Sequence, residues 1–286
     1  MTRFVLTDCH CHLQDDRFDH DLPEVMARAE LVGVRRFVCN GSAPSDWEKT
    51  VQIAKDYPNV LPCLGLHPLH IGIRDEGLGA RDWLDLLCEI IVNTKLTTSQ
   101  NADETSAILA THHSLLATHP AIGEIGLDHY VLPRDDVLQE SVFREQLRLA
   151  TRLGKPVMLH TRHSLDRVLE IRSEKFVEIP VFLLHGFGSS TERVDKIVSM
   201  GGYFSFSANI LKNHHKKMRH AAATVPLERV LLESDAPDMP PPHLYPRNEP
   251  AVLPEVLGEL AKLRGMPMDD LAAVIAENEA AFFKKW

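Results

Sequence analysis

No apolar run in this 286-residue chain approaches the roughly 20 residues a helix needs to cross a bilayer. The opening residues, Met1-Thr2-Arg3-Phe4-Val5-Leu6, are too short for a signal segment before Asp8 interrupts them, so the expected location is the cytoplasm, or the nucleus in a eukaryote. Cysteine is scarce and odd in number: Cys9, Cys11, Cys39, Cys63 and Cys88 fall in the first third, mostly inside apolar runs. That pattern excludes a disulfide framework and predicts small buried hydrophobes in a reducing compartment. Positive charge is also short, with a formal net charge of −9, which argues against passive binding of nucleic acid through a basic surface. Any phosphate-bearing ligand then needs a local source of positive charge. Neither a linker composition nor an internal repeat divides the chain, so a single domain over 1–286 is expected.

What is present is ordinary globular material, 44% apolar and 25% charged, together with 16 histidines. The most informative stretch is Thr7-Asp8-Cys9-His10-Cys11-His12-Leu13, which follows the apolar Phe4-Val5-Leu6. In an extended chain successive side chains alternate between faces, so Asp8, His10 and His12 share one face while Cys9 and Cys11 share the other. Two imidazoles so spaced can hold one cation, with Asp8 placed to orient a ligand or solvent. A structural zinc site using the Cys and His pairs together is disfavoured, because one ion cannot sit on both sides of a strand.

Strand-like runs recur at Phe4–Thr7, Arg36–Cys39, Val60–Leu64, Ala121–Ile125, Val157–Leu159, Val181–Leu184, Tyr203–Phe206 and Val230–Leu232. Helical periodicity fills most of the gaps, as in Leu22–Leu31, Ser45–Lys55, Val137–Leu153, Leu165–Ile171 and Thr191–Met200. Eight strands alternating with helices predict a (β/α)8 TIM barrel in the α/β class, a doubly wound open sheet being the alternative. Gly33, Gly154 and Gly201 stand where helix C-terminal caps belong. The long gap between the third and fourth strands holds a polar, weakly patterned segment near 93–113 that reads as a surface insertion. The proline-rich Pro237–Pro250 predicts an ordered irregular loop, followed by helices over Pro254–Arg264 and Asp269–Phe283.

Barrel enzymes place their sites at the carboxyl ends of the strands, and there the residue types stop resembling packing. The first strand ends in Asp8, His10 and His12, the third in Gly65-Leu66-His67-Pro68, and the fourth in Gly123-Glu124-Ile125-Gly126-Leu127-Asp128. The fifth ends in His160-Thr161-Arg162, the sixth in His185-Gly186-Phe187-Gly188, and the eighth in Glu233-Ser234-Asp235-Ala236-Pro237. At one rim, His10, His12, Glu124, His160, His185 and Asp235 supply four imidazoles and two carboxylates. That set suits two divalent ions with Glu124 as the natural bridge, and the resulting net positive site would attract phosphate. Magnesium, manganese, zinc and nickel all fit such donors.

These motifs, with Arg247-Asn248-Glu249-Pro250 after them, resemble the TatD-type deoxyribonucleases of the amidohydrolase-like barrel superfamily, in the right order over nearly the whole chain. The resemblance implies a metal-dependent hydrolase of DNA phosphodiester bonds, commonly an exonuclease acting from the 3′ end. It implies that His10 and His12 hold one ion with Asp235, that Glu124 bridges, and that His160 and His185 hold the second. It places His67 toward the scissile phosphate and makes Asp235, Glu124 and His67 the catalytic set. The chain departs from the family pattern in the run after His185, where a Cys is usual, and at Asp238, where many members carry Tyr.

DNA is the expected substrate, with no membrane and no obligate protein partner inferred. Arg162, Lys216 and Lys217 join His67 as substrate-binding candidates, the lysines belonging to a basic cluster with Lys212 and Arg219 that follows the seventh strand. Trp47 and Trp83 sit in helical patterns and read as packing. The competing functions are a small-molecule amidohydrolase or lactonase on the same barrel, and a non-catalytic binding protein whose metals only stabilise it. Glu124, where many such amidohydrolases use a modified Lys, favours the nuclease.

Overall fold

A computed structural model of the chain describes residues 5–72, 82–94, 119–179 and 181–284; the expected insertion near 93–113 lies almost wholly outside them. The strands are β1 (Leu6–Cys11), β2 (Val34–Gly41), β3 (Val60–Leu64), β4 (Ala121–Asp128), β5 (Val157–Arg162), β6 (Phe182–Leu184), β7 (Gly202–Phe206) and β8 (Val230–Leu232). They follow one another in the sheet in chain order. Parallel ladders join β1 to β2, β3 to β4, β4 to β5, β6 to β7 and β7 to β8. Helices fill the crossovers, and the fold class is a (β/α)8 TIM barrel.

The strand sequences explain the class. Strands buried on both faces need apolar residues in succession, and Phe182-Leu183-Leu184 and Val230-Leu231-Leu232 are each 0% exposed. The helices instead bury one stripe: α1 (Leu22–Leu31) buries Val25, Met26 and Ala29, and α2 (Pro44–Asp56) buries Trp47, Thr50, Val51, Ile53 and Ala54. Trp47 is fully buried and donates its indole N–H to the Gly65 carbonyl at 2.9 Å, so it packs as expected. Further along come α3 (Asp82–Asn93), α4 (Asp136–Leu153), α5 (Leu165–Arg172) and α6 (Val194–Ser199). The last are α7 (Lys216–Thr224), α8 (Leu253–Arg264) and α9 (Met268–Phe283). Helix α4 is capped at both ends, by the Asp135 carboxylate accepting from Leu138 N at 2.9 Å and by Gly154 at φ +63°.

Two compact units make up the chain. One comprises Met1–Cys39 and Val181–Glu279, the other Asn40–Pro180 and Ala280–Trp286. In the first, the C-terminal helix is tied to β1 through a buried carboxylate: Glu279 accepts from Thr7 N at 3.3 Å and from Thr7 Oγ1 at 2.6 Å. Burial pushes the Glu279 carboxyl up to about 7, with the Thr7 hydroxyl and then the Arg36 charge opposing the rise. The loop over Pro237–Pro250 is ordered by its own bonds, among them Asn248 N to the Pro237 carbonyl at 3.0 Å. In the second unit, the Gln146 side chain satisfies both the N–H and the carbonyl of Leu66, at 2.7 and 3.0 Å, holding the turn after β3 against α4. The five cysteines are free thiols, four buried and Cys88 partly so.

Candidate metal centre

In the first unit, ligand atoms of His10, His185 and Asp235 all lie within 4.8 Å of one another. His10 Nε2 is 3.8 Å and His12 Nε2 3.9 Å from Asp235 Oδ1. The His10 and His185 rings stack with centroids 4.0 Å apart. Backbone bonds carry the meeting of β1 and β8 beyond the strands themselves, Asp235 N donating to the His10 carbonyl at 3.0 Å and His12 N to the Ala236 carbonyl at 2.7 Å.

Asp235 adopts φ +59°, a left-handed conformation that a non-glycine residue holds only where its surroundings fix it. The fixing groups are adjacent. Asp8 Oδ1 accepts from Ser234 N at 2.9 Å, Asp8 Oδ2 accepts from the Ser234 hydroxyl, and Asn248 Nδ2 donates to the Ser234 carbonyl at 2.8 Å. Asp8 therefore anchors the end of β8, a task its position beside His10 did not announce. Burial pushes its carboxyl up to about 7 against the pull of the Ser234 bonds. Glu233, also fully buried, accepts from Gly186 N at 2.7 Å and from the Ser205 hydroxyl, and its Oε1 stands 3.9 Å from His185 Nδ1. Burial raises Glu233 as well, with His185 opposing.

In the second unit, ligand atoms of His67, Glu124 and His160 likewise fall within 4.8 Å. Glu124 Oε1 is 3.2 Å from His67 Nε2 and 2.8 Å from His160 Nδ1, while His160 Nε2 is 3.1 Å from Asp128 Oδ2. His67 Nδ1 accepts from Leu69 N at 3.1 Å, which leaves Nε2 as the atom turned to Glu124. Burial pushes His67 down to about 4, so its ring is neutral at ordinary pH, with the proton on Nε2. For Asp128, burial acts upward, but the His160 bond and the N–H groups of Tyr130 and Val131 hold the carboxyl well below the usual range.

Strand β4 is shaped for this group. Ile122 pairs with Val157 and Ile125 with Leu159, so β4 carries one extra residue at Gly123–Glu124, a bulge of the kind that re-aims a side chain. After the bulge the register is regular, and Glu124 and Asp128 both reach His160. The close approach demands glycine: a Cβ on Gly126, at φ +147°, would stand 2.0 Å from the His160 carbonyl oxygen.

The structure thus sets His185 beside His10 and Asp235, and His67 beside Glu124 and His160. Of the substrate candidates, Arg162 is exposed at the end of β5 with its guanidinium 3.8 Å above the Tyr130 ring centroid. Lys216 and Lys217 are exposed at the start of α7. Their neighbour Arg219 pairs with Glu259 at 2.8 Å, and Lys212 bonds Asn209 Oδ1 at 3.0 Å.

Both groups suit a divalent cation by their chemistry, each mixing imidazole with carboxylate at buried or partly buried positions whose donor atoms lie within 4.8 Å of one another.

A parallel barrel with acid–imidazole groups at its strand ends defines a class, the metal-dependent hydrolases, and the relatives agree with it. The profile described as TatD related DNase matches residues 7–284, and the chain belongs to that family. It is 27% identical over 282 residues to the "Uncharacterized metal-dependent hydrolase YabD" of Bacillus subtilis, covering 98% of this chain and 99% of that protein. It is 29% identical over 287 residues to the "3'-5' ssDNA/RNA exonuclease TatD" of Cronobacter sakazakii, covering 97% of each. The crystal structure of YJJV, a TatD homologue from Escherichia coli, matches with a TM-score of 0.79 at 26% identity, over 96% of this chain and 95% of that one.

Proposed function

We propose that this hydrolase cleaves DNA phosphodiester bonds as a 3′–5′ exonuclease with two divalent ions, and the observation that carries the reading is the pair of convergent acid–imidazole groups. His10, His185 and Asp235, with His12 alongside, would hold one ion, and Glu124 and His160 the other, with His67 next to Glu124 and turned to the phosphate. Bound divalent ions supply two things: a lower pKa for the attacking water and compensation for phosphoryl charge.

The chain's own residues do the rest. Asp235, fixed by Ser234 and Asn248, is the base that takes the proton from the attacking water. His67, neutral through burial, offers Nε2–H to a phosphoryl oxygen without adding a fixed charge. Asp128 orients His160 through Nε2, so that imidazole presents a defined nitrogen, and the Glu233 carboxylate stands 3.9 Å from His185 Nδ1 as a facing charge. Lys216 and Lys217 would track the backbone of the bound strand. The name of the Cronobacter relative supports the exonuclease direction. The assay that tests the reading offers single-stranded DNA, duplex DNA and a lactone panel to metal-loaded protein: DNA should be cut and lactones left intact, whereas lactone turnover without DNA cleavage would replace this function with the amidohydrolase one.

A further inference from the structure

Beside the second group, around Arg162, lies an exposed aromatic assembly whose Tyr130 and His163 the chemistry above does not use. Tyr130, in the loop after β4, is 55% exposed. The Arg162 guanidinium stacks on its ring at 3.8 Å, and the His163 imidazole meets it nearly edge-on at 5.2 Å and 84°. His163 reaches that position through a left-handed turn at φ +58° directly after β5. Among the described residues the Arg162 guanidinium has no carboxylate partner, unlike Arg134, Arg144 and Arg167 in the same unit, each of which is ion-paired. A guanidinium stacked through its face keeps its N–H edge free, and that edge matches two phosphate oxygens.

The assembly is rigidly tied to the candidate metal group. Asp128 Oδ1 accepts from Tyr130 N at 2.8 Å and from Val131 N at 3.1 Å, while Asp128 Oδ2 faces His160 Nε2 at 3.1 Å. Asp128 and Arg162 are also register partners across β4 and β5. One carboxylate therefore sets both the imidazole and the backbone of the aromatic loop. A flat aromatic face, a free planar cation and a fixed link to a phosphate-hydrolysing group combine the two features that recognise a nucleotide, a stacking surface for its base and a fork for its phosphate.

We propose that Tyr130, Arg162 and His163 form a seat for one unpaired nucleobase and its adjoining phosphate. The proposal rests on the nuclease reading. A base still paired in a duplex has its faces covered by neighbours and cannot lie on Tyr130, whereas an unpaired terminal base can. Tyr130 and His163 act through ring surface and so are indifferent to base identity, and Arg162 acts through charge.

The test measures binding and cleavage separately on the full-length metal-loaded protein, with a fluorescent octathymidylate, the same oligonucleotide abasic at its 3′ residue, and an oligomer of tetrahydrofuran abasic units, a phosphodiester that carries neither base nor aromatic ring. Tyr130→Ala should weaken binding of the intact oligonucleotide about tenfold, Tyr130→Trp should restore it, and turnover of the base-free ester should be unchanged. The wild type should lose a similar factor on the abasic oligonucleotide, and Tyr130→Ala should no longer distinguish the two strands. Equal binding of intact and abasic strands by the wild type would overturn the seat, even with DNA hydrolysis intact. A dimer that dissociates on Tyr130→Ala would assign the patch to a second copy of the chain and overturn it too. Base-dependent binding without cleavage of any ester would leave the seat standing and defeat the nuclease reading instead.

Discussion

Glu279→Gln isolates one buried acid whose effect on stability changes with pH. The carboxylate is buried, bonds Thr7 alone among the described residues, and is pushed from 4.5 to about 7 by burial. The displacement corresponds to roughly 3 kcal/mol at about 1.4 kcal/mol per tenfold change in proton affinity. Between pH 4.5 and 7 the unfolded chain has released this proton while the folded protein still holds it. The folded state binds more protons, so stability falls as pH rises through that window. Gln reproduces the protonated acid, its carbonyl keeping the Thr7 N–H and its amide donating to Thr7 Oγ1, and it does not ionise. Urea midpoints of metal-free wild type and Glu279→Gln should therefore nearly coincide at pH 4.5 and separate in favour of the variant by up to about 3 kcal/mol at pH 8. Asp8 and Glu233, also raised by burial, titrate in both proteins and cancel in the difference. A variant offset that stays the same at both pH values would refute the reasoning.

Asp128→Asn leaves the loop bond to Tyr130 N but weakens the hold on His160, so metal affinity of the second group should fall about 10- to 100-fold with the fold unchanged by circular dichroism; unaltered affinity by competition titration would deny Asp128 its orienting role. Asp235→Asn retains the left-handed backbone, which Asn tolerates, and removes the base. It should bind DNA within a few-fold of the wild type and cleave it at least about a hundredfold more slowly, and a fully active variant would reject the assignment.

Legibility in the sequence followed polarity. The bounds of β3 and β8 coincide with their apolar runs, because those strands are apolar from end to end. The observed β1, β4 and β5 run beyond theirs, into His10, Asp128 and Arg162, since the backbone ladder continues through polar residues that an apolar run does not mark. Residue types at strand ends pointed to candidate ligands. Which ends meet could not be read there, because that depends on strand register and on the directions taken by side chains many residues apart. The β4 bulge is a register event of this kind. Asp128 and Glu233 were visible only as motif letters, although the four-residue step from Glu124 to Asp128 already placed both on one face of a strand. Arg219 shows the reverse error: it counted toward a basic cluster until its ion pair with Glu259 appeared.

The central claim is that these acid–imidazole groups work by holding divalent cations, and its most direct measurement is the cleavage rate of a single-stranded oligonucleotide before chelation, after exhaustive removal of metal, and during graded return of manganese, magnesium, zinc or nickel. The account predicts loss of cleavage in the stripped protein and recovery that saturates at two ions per chain. Full cleavage by a protein verified to be metal-free would contradict it.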